Sequence, residues 1–474
     1  MRSFFKTLAF LILLAACAVN PVTGKRELML LSPEQEIKFG ESAYPSALWG
    51  ELAGGGPYSD PALTSYLARV VRDLHSVSHR PDVPMEFIIQ NSSVPNAWAI
   101  PGHVAMTRGL LVGLENEAQF AFVMGHEIGH VAARHSARQY TRSVLQGVAL
   151  GGGALVLGEE RGWLLDAAAV GSTLFLLKYS RDQEIEADRL GVNYMARAGY
   201  HPEEAVNAHR SLLAAVNEYA ARTGKGTPEE NFLSELLSTH PRTGVRLEEV
   251  QAMVREAQPQ GLKGNGINAE PFNSRLASIR RVQQGYIHFD KALVFYRDRK
   301  LPEARRELDA AMAVDGNQPP FHNLGGLIRL RAERAGEAES SFRRALAINN
   351  NYQPAWQSLG VLYFGRKRYE DAVPPLRRSL DIFPENPLSN FVLGLSYFRL
   401  ERHRDAIPRL EVYREAAPRD EEVHGTLGIS YEAVGDIASA YESYRLQVQV
   451  APNTDMGRYA AKRLPVLEQR LRRG

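Results

Sequence analysis

Three residues of this chain combine types and spacing that suit metal chemistry: His126, Glu127 and His130, in the stretch HEIGH. Histidines four residues apart lie on one face of an α-helix, and two neutral imidazoles at that spacing can bind one Zn²⁺ ion. Glu127 can accept a proton from a water molecule activated there. The preceding residues, AQFAFVMG, are mostly apolar, so the three polar groups are predicted to be buried and to need a partner such as a metal. This indicates zinc-assisted hydrolysis, and a helix that carries these residues by chance is the alternative.

A catalytic zinc ion also needs a third protein ligand and an open coordination position. The metzincin pattern would place a glycine three residues and a histidine six residues after the second histidine, where this chain has Ala133 and Ser136. That class is therefore excluded. His135 lies one residue short of the required position, and we interpret it as a residue of the helix surface or one that supports a ligand.

Two carboxylates downstream are better placed for a third ligand. Glu184 and Asp188, in YSRDQEIEAD, are four apart and share one face of a predicted helix. One carboxylate could bind the metal while the other fixes a ligand histidine through its free N–H group. Glu186 lies on another face and is the weaker candidate. An ordinary charged helix, with Arg181 and Arg189 as partners, is the alternative.

The region that must position these groups runs from about residue 32 to 255 and mixes long helical patterns with short strands, which predicts a helix-dominated α+β domain. SPEQEIKFG predicts a helix with Ser32 as its N-cap. MEFIIQN, residues 85–91, predicts a strand. AWAIPGHVAMT predicts a second strand, bent at Pro101. Helical patterns run over 115–146 and 181–198.

The second predicted strand could present an edge to an extended substrate, through main-chain hydrogen bonds that give little sequence specificity. An interior position in the sheet is the alternative. The residues of this candidate edge are Asn96, Ala97, Trp98, Ala99 and Ile100.

An unusually apolar stretch covers residues 144–177 and is interrupted by charged residues such as Glu159 and Asp166. Neither half reaches the length of a membrane span. We interpret it as buried helices beside the active centre, with a hairpin that dips into a membrane as the alternative.

The N-terminal segment, residues 1–17, has the pattern of a secretory signal: Arg2 and Lys6 precede an apolar run too short to span a bilayer. LAAC, ending at Cys17, resembles a bacterial lipobox, and Cys17 is the only cysteine of the chain. We therefore expect lipid at Cys17, which would tether the protein to a membrane. By resemblance to lipoprotein sorting in Gram-negative bacteria, Ala18 indicates a periplasmic protein at the outer membrane. An ordinary signal peptide is the alternative.

The composition is that of a folded protein with several domains, since 44% of the 474 residues are hydrophobic and 23% are charged. The net charge of +2 equals the two basic residues of the signal, Arg2 and Lys6, which leaves 54 basic and 54 acidic residues. This balance gives no electrostatic reason to expect a nucleic-acid partner.

The C-terminal part repeats itself with a period of 34 residues. An alanine recurs at every 34th residue: Ala304, Ala338, Ala372, Ala406 and Ala440. Twelve positions before each alanine stands a small residue. Three positions after the small residue stands an aromatic residue in four of the five repeats, with Arg329 as the exception. This period predicts a tetratricopeptide solenoid, all-α, in which small residues let paired helices approach. We place a linker at 256–284, five repeats at 285–454 and a capping helix at 455–474.

HEIGHVAARHSARQ, followed by YSRDQEIEAD, resembles the HtpX/BepA class of zinc metallopeptidases, gluzincins related to the CAAX prenyl proteases. NPVTGKRELMLLSPEQEIKFG, NAWAIPGHVAMTRGLL and LSTHPRTGVRLEEV are similar to that class too, so the resemblance covers roughly residues 19–255. The repeats that follow make the architecture similar to its BepA type. The resemblance implies His126, His130 and Glu184 as ligands of one Zn²⁺ ion and Glu127 as the general base.

The resemblance also implies supporting residues. Asp188 would support the site from behind the ligands. His240 would lie near the metal, where it could stabilise the oxyanion or occupy the open position in a latent state, and Arg246 would brace that loop. A loop histidine without a role is the alternative for His240.

Two functions follow as hypotheses. The first is a zinc endopeptidase that cleaves misfolded or stalled envelope proteins, with repeats that recruit substrate or an outer-membrane assembly machine. The second is a chaperone or assembly adaptor whose protease centre is mostly latent. In both, the expected partners are unfolded or misassembled proteins, a protein bound in the groove of the repeats, and a membrane through the lipid anchor.

Overall fold

The computed structural model describes residues 17–50, 55–147, 179–224 and 244–472. The chain divides into two compact units, Met1–Val294 and Phe295–Gly474. Most of the predicted signal, residues 148–177 of the apolar stretch, and His240 lie outside the described residues. Among the helices that the structure describes, none has the length and apolar character needed to cross a membrane.

The first unit is rich in helices, as the sequence predicted. Its strands are β1 (Cys17–Val19), β2 (Arg26–Leu28), β3 (Met85–Gln90), β4 (Ala97–Ile100) and β5 (Gly102–Thr107). Its helices are α1 (Pro33–Trp49), α2 (Pro61–Ser76), α3 (Arg108–Leu111), α4 (Glu117–Ala132), α5 (His135–Gly147), α6 (Arg181–Arg197), α7 (Glu204–Thr223) and α8 (Gly244–Glu256). A further helix, α9 (Ala269–Arg297), begins in this unit.

Helix α1 begins as predicted, because the side chain of Ser32 accepts a hydrogen bond from the backbone N–H of Gln35 while the Gln35 side chain accepts one from the backbone N–H of Ser32. Such a reciprocal pair satisfies two N–H groups that a helix start leaves without partners.

A three-stranded sheet has the order β3–β5–β4, with β3 parallel and β4 antiparallel to β5. The single bent strand predicted over AWAIPGHVAMT is wrong, because the chain reverses there and forms two strands. Gly102 has a φ of 107°, a backbone conformation that glycine adopts without strain and that permits the reversal. Among the strands that the structure describes, β4 is at one edge of this sheet.

Helix α9 occupies most of the segment that was predicted to be a linker. Phe272, Leu276 and Ile279 of this helix are fully buried in the same hydrophobic core as the residues of α2 and α4. The prediction of a linker over 256–284 is therefore wrong from residue 269 onward. Gly, Pro and Asn in 256–268 suggested an unstructured connection, but the apolar residues after them pack as a helix.

Polar contacts also fix α9 to the sheet, through the fully buried Arg108. Its guanidinium donates hydrogen bonds to Asn91 (3.0 Å), to Ser93 (2.7 Å) and to Gln283 of α9. The same group stacks over the ring of Tyr286, also on α9, at 3.5 Å. A buried guanidinium needs such partners, so one face of α9 packs against the interior of this unit.

The second unit consists of helix pairs, which confirms the predicted repeats. The helices are α10 (Leu301–Val314), α11 (Pro319–Arg331), α12 (Ala335–Ile348), α13 (Gln353–Gly365), α14 (Tyr369–Ile382), α15 (Pro387–Arg399), α16 (His403–Ala416), α17 (Val423–Val434), α18 (Ile437–Val450) and α19 (Asp455–Leu471). Helix α19 stands where the capping helix was predicted and packs Leu467 beside Tyr444 of α18.

The small residues of the repeats permit each pair of helices to cross closely. A Cβ atom placed on Gly360 would lie 2.3 Å from Leu376 of the partner helix, and one on Gly326 would lie 2.3 Å from Phe342. Any larger residue would push the paired helices apart, which explains the small residue that recurs in register.

Candidate metal centre

Helix α4 carries HEIGH and is buried along its whole length. Asn116 begins the helix by accepting a hydrogen bond from the backbone N–H of Gln119 at 2.9 Å. His126, Glu127 and His130 are 7%, 4% and 2% exposed, as the apolar flanks predicted. These three polar side chains are therefore largely shielded from water.

Glycines let α6 approach α4 closely enough to complete the site. A Cβ atom on Gly191 would lie 3.0 Å from the backbone nitrogen of His126, and one on Gly129 would lie 3.0 Å from the Cβ of Leu190. Both distances are shorter than normal contacts between such atoms. The close packing brings the carboxylates of α6, Glu184 and Asp188, to the histidines of α4.

The two histidines and Glu184 converge on one point. The Nε2 atoms of His126 and His130 are 3.1 Å apart, and the Glu184 carboxylate oxygens lie 3.8 Å and 3.4 Å from them respectively. One ligand atom from each residue lies within 4.8 Å of the others, and all three residues are buried. Two imidazole nitrogens and one carboxylate oxygen form a donor set that suits a divalent metal such as zinc.

The second nitrogen of each histidine has its own partner, which leaves the Nε2 atoms directed at the shared point. Nδ1 of His126 lies 2.9 Å from Oδ1 of Asp188. Nδ1 of His130 lies 2.8 Å from Nδ1 of His135, whose Nε2 lies 3.0 Å from the Glu186 carboxylate. Such partners fix the ring orientation and tautomer of metal ligands. The residues present therefore fit a metal ion.

Arg246 of α8 joins the two carboxylates of α6. Its guanidinium lies 2.7 Å from Glu184 and 2.8 Å from both oxygens of Asp188. Burial alone would raise the pKa of Asp188, but hydrogen bonds from His126 and Arg246, with His209 close by, outweigh it and hold that pKa well below its usual range. Asp188 therefore stays an acceptor for His126.

A cavity opens beside the centre and connects it to the edge strand. Asn96, which precedes β4, and Ala97, its first residue, line it together with His126 and Glu127. Apolar side chains of α4 and α7 form much of the remaining wall, including Phe122, Leu212 and Val216. The rest of the predicted edge, Trp98 to Ile100, is buried, and the Trp98 indole donates to Gln90 (2.8 Å).

The structure brings together six of the predicted site residues: His126, Glu127, His130, Glu184, Asp188 and Arg246. Glu186 faces away from the Nε2 atoms and binds His135 and Arg138 instead, in keeping with its lower rank. Arg246 does more than brace a loop, since it contacts both carboxylates directly.

Two neighbours of the centre were not predicted from the sequence. Nε2 of His209 lies 3.6 Å from Oδ1 of Asp188, and the ring of Tyr179 stacks on His130 at 3.9 Å. His209 lies in a helix with no recognisable motif, so only tertiary packing reveals it. Tyr179 is the first residue of YSRDQEIEAD. Its position two residues before α6 was the signal from which its proximity to the centre could have been predicted.

Comparison with known proteins agrees with this geometry. Residues 61–254 match the model of peptidase family M48, and residues 289–354 and 326–387 match a tetratricopeptide repeat model. A mitochondrial metalloendopeptidase OMA1 of Schizosaccharomyces pombe is 29% identical over 50% of this chain and 66% of its own length. A beta-barrel assembly-enhancing protease of Escherichia coli is 26% identical over 66% of this chain and 67% of its own. The chain thus spans about two thirds of the length of these relatives.

Proposed function

We propose that this chain, a family M48 metallopeptidase domain followed by tetratricopeptide repeats, is a zinc endopeptidase that cleaves misfolded or stalled proteins of the bacterial envelope. The observation that carries the proposal is the convergence of His126, His130 and Glu184 within 4.8 Å, beside a cavity that His126 and Glu127 line.

His126, His130 and Glu184 would hold the metal ion. When bound, zinc supplies Lewis-acid chemistry: it polarises the scissile carbonyl and lowers the pKa of water toward neutrality. The protein keeps these three side chains in place through Asp188, His135 and Arg246, so that the geometry is set before substrate arrives.

Glu127 would act as the general base. It follows His126 on the helix, lines the cavity and is 4% exposed. Its carboxylate would take a proton from the attacking water and deliver it to the leaving amine, which balances the hydrolysis of one peptide bond. In this role Glu127 is needed for turnover and is not needed to hold the metal.

Substrate would lie extended along β4. This strand is at the edge of the sheet, and its first residues share the cavity with Glu127. Main-chain bonding that begins at Asn96 and Ala97 would align a polypeptide and read little of its sequence, which suits a protease that removes many different damaged proteins.

A second candidate function is a chaperone or assembly adaptor whose centre is mostly latent. The low exposure of the centre favours it, because Glu184 is 0% and His130 is 2% exposed. In that state His240, which lies outside the described residues, would occupy the open metal position. In the enzyme, the alternative role of the same imidazole would be to stabilise the oxyanion.

The envelope assignment is supported by the name of the Escherichia coli relatives, which are proteases that enhance beta-barrel assembly. We propose that this protein acts in the periplasm, with lipid at Cys17 as its anchor to the outer membrane. The repeats would recruit unfolded substrates or an outer-membrane assembly machine, since tetratricopeptide arrays present long binding surfaces.

The enzyme is tested by comparing the wild type with Glu127→Gln, both loaded with zinc, on unfolded casein. We expect one zinc ion per chain in both proteins and a loss of cleavage of about 10²–10⁴-fold in the variant, because a general base contributes about that much. Glu248→Gln, on the exposed side of α8, is the matched control and should cleave normally.

The same variants separate the two functions in cells that lack the protein and show a defect in outer-membrane assembly. If Glu127→Gln restores assembly fully, the adaptor function is favoured over the enzyme. If neither protein binds zinc, the assignment of the centre itself is wrong.

A further inference from the structure

One position of the repeats departs from the pattern that the others follow. Phe295, Tyr363, Tyr397 and Tyr431 occupy equivalent places at multiples of 34 residues, and Arg329 stands in the second place of this series. Tyr363 and Tyr397 are each only 6% exposed, and Phe295 and Tyr431 are half-buried. The aromatic residue at this place is therefore packed into the array, and the second repeat lacks it.

The aromatic residue normally joins one repeat to the helix before it. The hydroxyl of Tyr363 on α13 donates to Glu339 (2.8 Å) and accepts from Arg343 (2.9 Å), both on α12. Tyr431 on α17 likewise donates to Glu411 of α16 at 2.8 Å. A ring at this position thus fills the space between consecutive repeats.

A cation also covers the ring in the neighbouring repeats. Arg368 lies over Tyr363 at 4.6 Å and Arg402 lies over Tyr397 at 4.5 Å, in each case five residues after the tyrosine. Arg334 stands five residues after Arg329 and so corresponds to Arg368 and Arg402. Position 329 supplies no aromatic ring for it to cover. Its hydrogen bonds to Glu337 repeat those of Arg368 to Asp371.

Arg329 does not fill the space that a ring would take. Its Nη1 folds back to the carbonyl oxygen of Gly325, one turn earlier on its own helix, at 2.9 Å. A cavity remains between α10 and α11, with an apolar wall that includes Leu308, Met312 and Ile328. The cavity thus stands at the one position of the series where the aromatic residue is replaced.

The charges around the cavity are unbalanced. Its lining includes a single carboxylate, that of Asp309, and four arginines: Arg305, Arg306, Arg329 and Arg334. Asp309 lies 3.7 Å from Arg305, and Glu337, outside the lining, pairs with Arg334 and lies 3.8 Å from Arg329. Two carboxylates against four guanidinium groups leave the positive charge in excess. Arg305 and Asp309 stand where Glu339 and Arg343 hold the hydroxyl of Tyr363, so the equivalent pair is present with its charges exchanged. An occupant with negative charge beside its ring would complement this rim.

We propose that this cavity binds an aromatic side chain of a partner protein, in a segment where acidic residues flank the aromatic one. The incoming ring would take the place of the missing tyrosine, rest on the apolar wall and lie under the Arg334 guanidinium, while the carboxylates meet the arginine rim. The inference rests on the recruiting role proposed for the repeats, and it names the chemistry of what they recruit.

The test uses the full-length protein and a fluorescein-labelled peptide, Asp-Asp-Trp-Asp-Asp, with fluorescence anisotropy as the readout. We expect binding that weakens about tenfold or more when alanine replaces the tryptophan, and that disappears when lysines replace the aspartates. Arg329→Tyr restores the repeat pattern and fills the cavity, so it should abolish binding without lowering the melting temperature. Arg334→Gln removes one exposed cation and leaves the cavity unfilled, so it should weaken binding without abolishing it.

Arg366→Tyr is the matched control, since it introduces the same side chain at an exposed position at the end of α13. Equal binding to the wild type and to Arg329→Tyr would overturn the proposal, and so would a peptide that binds no better than its alanine or lysine version. Cleavage of casein, measured on the same samples, should not change in Arg329→Tyr. Loss of the proposed protease activity and loss of this docking site are therefore separate results.

Discussion

The two nitrogens of His126 have different tasks, and the division depends on Asp188. The carboxylate accepts a hydrogen bond from Nδ1 at 2.9 Å, so Nε2 is left with its lone pair toward His130 and Glu184. Arg246 and His209 also contact Asp188, which keeps the carboxylate charged and in one orientation. Asp188, which stands outside the group of His126, His130 and Glu184, thus decides whether Nε2 of His126 is available as a donor atom.

Replacement of Asp188 by asparagine should weaken zinc binding by about 10–100-fold, because the amide can no longer hold the imidazole as a charged acceptor does. Competition with a zinc-binding dye measures this affinity. Asp182→Asn, in the exposed first turn of the same helix, is the control and should leave the affinity unchanged. A variant at 188 with wild-type affinity would show that the carboxylate has no part in orienting His126.

At the scale of elements, the centre depends on the close packing of α4 against α6, which glycines at the contact permit. Their contact at Gly191 and His126 brings two sequence segments, more than 50 residues apart, to hydrogen-bonding distance. A helix pair separated by an ordinary side chain would hold Glu184 too far from the histidines.

Gly191→Ala should therefore destabilise the first unit by about 1–3 kcal/mol, since overpacking a filled contact has costs of this size. It should also weaken zinc binding. Urea denaturation and the dye assay measure the two effects. Gly336→Ala is the control, because a Cβ atom there meets nothing within 4 Å, and its stability should stay within about 0.5 kcal/mol of the wild type. Equal stability of the two variants would contradict the close-packing argument.

The elements that sequence reasoning recovered are those with local signals: the capping box at Ser32, the 34-residue period and the four-residue spacing in HEIGH. The break between α4 and α5 was missed, and the predicted single helix over 115–146 is wrong there. Arg134 has a φ of 57° at that break, held by hydrogen bonds to Glu36 (2.7 Å) and to the carbonyl of Leu31 (2.8 Å). These partners lie about 100 residues away in sequence, so helical periodicity contains no trace of them.

The candidate site shows the same limit. Spacing alone offered Glu184 and Asp188 as a pair without saying which carboxylate binds the metal, and the family resemblance was needed to choose. The structure agrees, because Glu184 faces both Nε2 atoms while Asp188 faces Nδ1. His209 reaches Asp188 only through the packing of α7, which no local pattern encodes.

At the scale of the whole molecule, metal binding should stabilise one unit and leave the other unchanged. A ligand stabilises the folded state by an amount that grows with its concentration relative to Kd, about 4 kcal/mol at a thousandfold excess. Removal of zinc with a chelator should therefore speed amide hydrogen exchange in α4 and α6. Exchange in the repeat helices α13 to α16 should stay the same, because each repeat depends mainly on its neighbours.

Exchange measured by mass spectrometry before and after chelation, with zinc added back, checks this expectation. Restoration of protection by zinc is the control for damage caused by the chelator. Equal loss of protection in both units, or none in α4 and α6, would contradict the assignment of a metal centre to the first unit.

Helix α9 sets a limit on how such a chain can be recombined. A crossover at residue 255, where the composition changes, would separate the buried Arg108 from Gln283 and Tyr286 and would uncover the core at Phe272. A protease that exchanges its repeat array for another must therefore keep α9, and the workable crossover points begin after Arg297, at the end of that helix. Helix α9, which carries the first small residue of the repeat pattern at Ala292, would thus be kept with the first unit in any such exchange.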